Sequence, residues 1–317
     1  MSDHPNPAAP VVMLLTALFI GMALLLGGCA SDSSSTTTTS VVPTESPAPR
    51  VTPTPFNPSS DERPGVPTTP SRYRVAIYGD SMAHSIQEQL VENLDAGGRL
   101  DTSIRIFAGA ALCDYLDDIE ADADPAAEGA PLWGAIIMFS NNTFTPCMAD
   151  TTGAPLTGDA AFEKFRSDLR TAVSTLSEAG VHVWIPTVPI TRAIDEGADD
   201  HLTPINDAAA AIAADFANAL AVDAAAAVLN TDGSYAETLP CLPLEPCTGG
   251  TDTAGQGFNF VRETDGVHFC TSGYPEGADI LPGTCPAYSS GAFRYASAIT
   301  APVITQAASD WAIEAEN

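Results

Sequence analysis

Positive charge is scarce in this chain. Its 317 residues carry 12 Lys and Arg against 40 Asp and Glu, a formal net charge of −28, and Lys164 is the only lysine. The acidity is spread along the chain, which argues against nucleic acid or a bare anionic lipid surface as an electrostatic partner. A single lysine leaves almost no material for Schiff-base chemistry. There are 5 histidines and no Cys-x-x-Cys pair, so the usual zinc-site spacings are missing and neither a metal nor an organic cofactor is expected. No internal repeat is visible.

What is present begins with an apolar run, Val11 to Leu26, free of charge. It is slightly long for a signal-peptide core and slightly short for a comfortable membrane span. Leu26-Gly27-Gly28-Cys29 follows and resembles a bacterial lipobox, whose cysteine is acylated and becomes the first mature residue. The segment before Val11 contains Asp3 and no Lys or Arg. The expectation is a lipoprotein signal peptide over residues 1–28, with Cys29 lipidated and the protein anchored to the outer face of the bacterial cytoplasmic membrane. An uncleaved anchor is the alternative. Residues 29–70 are rich in Ser, Thr and Pro without apolar periodicity, so they cannot bury enough surface to offset their ordering entropy and should form an extended tether. At ~3.1 Å per residue it would reach on the order of 100 Å. Residues 71–317 are then one domain.

Within that domain, strand-like runs recur at Val75 to Tyr78, Ser103 to Phe107, Ala135 to Phe139 and Val181 to Ile185, with a weaker one at Leu220 to Val222. Helical stripes lie between them: Ile86, Leu90 and Leu94 up to Gly97-Gly98, then Phe162, Phe165, Leu169, Ala172 and Leu176 up to Gly180. Pro204 to Leu220 reads as an Ala-rich helix and Phe293 to Trp311 as a final one. Strand and helix in alternation mean a mainly parallel sheet covered on both faces.

Three short stretches carry chemistry: Gly79-Asp80-Ser81 after the first strand, Asn142 after the third, and Asp265-Gly266-Val267-His268 near the end. A serine hydroxyl needs a base to remove its proton, and the base works best when a carboxylate fixes its tautomer. With these motifs in this order the chain resembles the SGNH (GDSL-like) hydrolases, serine esterases and acyl-transfer enzymes. The resemblance implies an α/β fold, a three-layer αβα sandwich around a flavodoxin-like parallel sheet of order 2-1-3-4-5. It also implies Ser81 as nucleophile, His268 as general acid/base and Asp265 as its orienting carboxylate. The implied oxyanion donors are the N–H groups of Ser81 and Gly109 and the side-chain amide of Asn142. Where the family has Gly-x-Asn-Asp, this chain has Ser140-Asn141-Asn142-Thr143. Asn142 keeps the two-residue interval from position 140, and Asn141 is the competing choice. Asp80 is expected to bond backbone N–H groups of its turn. His84 is a wall residue or a substrate contact, His182 and His201 are structural or solvated, and Arg262 is either a surface ion pair or a substrate contact.

Setting Cys29 aside leaves Cys113, Cys147, Cys241, Cys247, Cys270 and Cys285, an even set that in an exported chain reads as disulfides. The expected pairs are Cys113–Cys147, Cys241–Cys247 and Cys270–Cys285. The first would tie the two oxyanion loops together. The function expected is hydrolysis of carboxylic esters through a Ser81 acyl-enzyme, with O-acyl or O-acetyl groups on cell-envelope polysaccharide as the expected substrate and free lipid or small esters as the alternatives. The same residues would serve an O-acyltransferase, and a binding module without turnover is the reading from a different class. The loop from Thr191 to Thr203 is polar and acidic and points to no substrate.

Overall fold

The computed structural model describes residues 72–126, 130–243, 245–269 and 289–316. The expectations for 1–28 and 29–70, for Cys29 and for the Cys270–Cys285 pair lie outside the described residues.

Along the chain the elements are β1 (Tyr73–Gly79), α1 (Ser81–His84), α2 (Gln87–Asp95), β2 (Leu100–Ile106), α3 (Leu116–Ala123), β3 (Leu132–Met138), α4 (Gly158–Glu178), β4 (His182–Pro186), α5 (Arg192–Asp195), α6 (Leu202–Ala213), β5 (Ala219–Val222), β6 (Thr238–Pro240), β7 (Phe258–Phe260) and α7 (Ser290–Glu316). The first five strands form one sheet in the order β2-β1-β3-β4-β5 with every neighbouring pair parallel. β6 and β7 make a separate antiparallel ribbon.

Side chains alternate across a strand, so β1 splits its apolar residues between two cores. Ala76 and Tyr78 join Ala135, Ile137 and Ile185 beneath Phe165, Leu169 and Leu176 of α4 and Ile205 and Ile212 of α6. Val75 and Ile77 join Ile136, Met138 and Trp184 beneath Leu90 and Leu94 of α2 and Tyr295, Ile299 and Val303 of α7. The protein is thus a three-layer αβα sandwich about a parallel sheet.

Two expected helices are altered. The stripe Ile86, Leu90, Leu94 is fully buried as expected, but the helix carrying it breaks in two at Ser85–Ile86. Ser85 Oγ donates to the Met82 carbonyl at 2.8 Å, competing with the helical ladder at the break. The Ala-rich helix stops at Ala213 instead of Leu220, because residues 219–222 are drawn into the sheet beside β4. Asn218 secures that turn by donating its amide to the Val181 carbonyl at 2.7 Å.

The ribbon docks on the start of α7 through a buried polar cluster. Glu245 accepts from Ser290 Oγ at 2.8 Å and pairs with Arg294. Cys241–Cys247 closes the ribbon, and Cys113–Cys147 spans 34 residues with Cα atoms 6.0 Å apart. Two of the three expected disulfides are therefore present.

Candidate active site

The carboxyl ends of β1, β2 and β3 meet at one edge of the sheet, where open α/β folds keep their ligand crevice. Backbone bonds join them directly: Phe107 N–H donates to the Gly79 carbonyl at 3.2 Å, and Asp80 N–H to the Met138 carbonyl at 3.3 Å. Gly79 is required by close packing, since a Cβ there would lie 2.2 Å from Ala83 Cβ and 3.0 Å from the Met138 oxygen.

Asp80 is the knot of this corner and is fully buried. One carboxylate oxygen accepts the Met82 N–H at 2.9 Å and caps α1. The other accepts Ser140 N–H at 2.7 Å, Ser140 Oγ at 2.6 Å and Asn142 Nδ2 at 3.2 Å. Burial raises the Asp80 pKa, while the bonds from Ser140 and Met82 and the nearby His268 charge pull against it. Ser140, which stands where the family pattern has glycine, is therefore a ligand of this carboxylate.

Ser81 opens α1 and is half-buried. Its hydroxyl makes no hydrogen bond among the described residues. Gly109 sits at φ 86° in a turn closed by Ala110 N–H donating to the Phe107 carbonyl at 3.1 Å. Asn142 reaches this loop, because its Nδ2 donates to the Ala110 carbonyl at 3.1 Å as well as to Asp80. Both hydrogens of the expected oxyanion amide are thus directed at acceptors of the protein itself. Asn141, the competing donor, takes the left-handed φ of 64°, which asparagine tolerates better than most residues, and its buried Oδ1 has no hydrogen-bond partner among the described residues.

The Asp265–His268 turn folds on itself. Asp265 Oδ2 lies 2.6 Å from His268 Nδ1, and its Oδ1 accepts the N–H groups of Val267 at 2.8 Å and His268 at 3.0 Å. Desolvation pushes the Asp265 carboxyl upward, but the bonds from His268 and Val267 prevail and hold it below the usual range. Phe269 packs in the same core as Met82 and Ala83, the two residues after Ser81. The turn therefore shares its core with the residues that follow Ser81.

Two arginines support this turn. Arg192 N–H donates to the Gly266 carbonyl at 3.0 Å, and its Nη1 donates to the Thr264 carbonyl at 3.2 Å. Gly266 lies at φ 71°, and a Cβ there would come within 2.5 Å of Arg192 Cβ. Arg262 is buried, not a surface residue, which corrects the sequence expectation. It donates to the Val267 carbonyl at 3.0 Å and stacks 4.4 Å from the centre of the Phe269 ring. Burial lowers its pKa to about 10. The loop from Thr191, which looked uninformative, thus supplies a clamp; no local motif marks Arg192, since its partner lies 74 residues away.

Three further histidines lie among the described residues. His84 is exposed, His201 bonds its own loop, and His182 Nε2 lies 3.1 Å from Asp310, which also accepts from Trp133. Among the described residues no group of three His, Cys, Asp or Glu side chains is arranged to hold a metal ion.

No family model and no curated protein matches the chain. Among solved structures it is similar to a member of the lipolytic G-D-S-L family from Veillonella parvula, at 15% identity over 74% of this chain and 98% of that one, TM-score 0.45. A GDSL-like lipase from Bacteroides thetaiotaomicron aligns at 12% identity over 74% and 88%, TM-score 0.44. A psychrotrophic esterase from a Pseudoalteromonas species aligns at 14% identity over 50% of this chain and 85% of that one, TM-score 0.34.

Proposed function

We propose that the chain is a serine esterase of the SGNH (GDSL-like) type. The observation that supports this reading is the Asp265–His268 pair at 2.6 Å, beside a second cluster in which the exits of β1, β2 and β3 are bonded together around Asp80. In the first step Ser81 Oγ attacks the ester carbonyl carbon while His268 Nε2 takes the hydroxyl proton, and Asp265 holds the imidazole by its other nitrogen. The oxyanion is received by the N–H groups of Ser81 and Gly109 and by Asn142, whose amide exchanges one of its two present bonds for the new one. Collapse expels the alcohol, which leaves with the proton from His268. Water then attacks the acyl carbonyl and gives a proton to His268, and collapse breaks the bond to Ser81 Oγ, which takes that proton back from His268 as the acid leaves.

The finer reading is an exported protein, lipid-anchored through Cys29 and carried on the 29–70 tether, acting on O-acyl or O-acetyl groups of cell-envelope polysaccharide. The tether length and the disulfides support it. A sugar hydroxyl replacing water in the second step would make the same site an O-acyltransferase. The engaged amide of Asn142 favours one other reading, a binding module without turnover.

A serine-directed fluorophosphonate separates enzyme from binder. The wild type and Ser85→Ala should be labelled and Ser81→Ala should not; an unlabelled wild type rejects the enzyme.

A further inference from the structure

Beside Gly109 the edge of the sheet opens into a groove of 540 Å³, within the range of ~300–1,000 Å³ usual for small-molecule sites. Its walls are the loop after β2 and the loop after β3, and the Cys113–Cys147 disulfide joins the segments that follow them. Phe107 stands in one wall and Phe144 in the other, 70% and 81% exposed. They are the two most exposed large apolar side chains among the described residues, and neither contributes to a core. Asp114, Tyr115 and Thr145 complete the lining with a carboxylate and two hydroxyls.

We infer that this groove is a sugar-binding subsite that receives the glycan part of the substrate through the rings of Phe107 and Phe144. The step rests on the esterase reading only for the position of the ester group, which would lie beside Gly109, itself part of the lining. An alkyl chain gains by leaving water, so it calls for an enclosed apolar tunnel, and rings this exposed would leave it wet. A pyranose has weakly positive C–H groups on its faces and hydroxyls around its edge. The faces match the electron-rich face of an aromatic ring, and the hydroxyls match the acceptors and hydroxyls of the lining. The net charge of −28 and Asp114 in the wall select a neutral or cationic glycan over an anionic one. The disulfide keeps the two walls from separating, so less ordering is needed on binding.

The test uses full-length Ser81→Ala protein, which binds without turnover, titrated calorimetrically with chitopentaose, xylohexaose and mannopentaose. At least one should bind saturably, about tenfold or more weakly once Phe107→Ala and Phe144→Ala are combined, and with affinity restored by Phe144→Trp in place of Phe144→Ala. Both positions are exposed, so the variants should keep the parent's thermal midpoint. Absence of binding to all three sugars, binding insensitive to the double change, or binding of decanoate in their place overturns the subsite. Fluorophosphonate labelling of the wild type reports separately on the esterase, so a bound sugar with no labelling would sink the enzyme and keep the subsite.

Discussion

The two halves of the site are held in different ways. On the serine side, three strand exits are bonded to one another and one buried carboxylate, Asp80, collects four donors from two of them. On the imidazole side, a single turn folds around the half-exposed Asp265 and is steadied by Arg192 and Arg262, which lie on segments outside the sheet. The serine half is therefore part of the stability of the fold, whereas the imidazole half can be altered chemically with little cost to it. Two aspartates that look alike in sequence, each beside a catalytic candidate, have opposite roles.

The sharpest way to break that contrast is to remove each carboxylate in turn. Asp265→Asn should lower kcat/KM by up to about 10⁴-fold by presenting the wrong imidazole tautomer, with a urea midpoint close to the parent's. Asp80→Ala should act mainly on stability, costing about 3 kcal/mol or more, because buried donors of Met82, Ser140 and Asn142 lose their acceptor. Urea unfolding of both variants checks the pair; equal stability losses would erase the distinction.

A smaller effect is expected where the turn is clamped. Arg192→Ala removes the bond to Thr264 and the stacking on Tyr235 and should lower kcat/KM by about fivefold, measured on a p-nitrophenyl ester. The smallest effect is on pH dependence. Because the Asp265 pKa is depressed in the folded state, the stability it adds is present above the unfolded carboxylate value of ~3.9 and is lost as pH falls through the lower folded value. The acid limb of the urea midpoint should be flatter in Asp265→Asn than in the parent.

Much of the frame is legible before any coordinates. The central strands β1, β3 and β4 coincide with apolar runs, since a strand buried on both faces has to be largely apolar, whereas the edge strands β2 and β5 are half-exposed and carry a weaker signal. The Asp265–His268 contact is also local, set by a three-residue spacing and an Asx-type turn. What escapes is what depends on distant partners. α3 hides because Asp117, Asp118 and Glu120 mask a short apolar face, and β6 and β7 are three residues each, too short for periodicity to register. The break at Ser85, the burial of Arg262 and the grip of Arg192 each turn on a neighbour that no window of sequence contains.

By itself, then, the sequence determined the alternation of strands and helices and the three motifs of the candidate site, because periodicity and turn propensity act over a few residues. Only the tertiary structure decided that Asp80 binds Ser140 and Asn142, that both hydrogens of Asn142 are engaged, and that two phenylalanines flank an open groove beside Gly109. Those outcomes follow from the parallel crossover of β1, β2 and β3, which brings positions up to 62 residues apart within hydrogen-bonding reach.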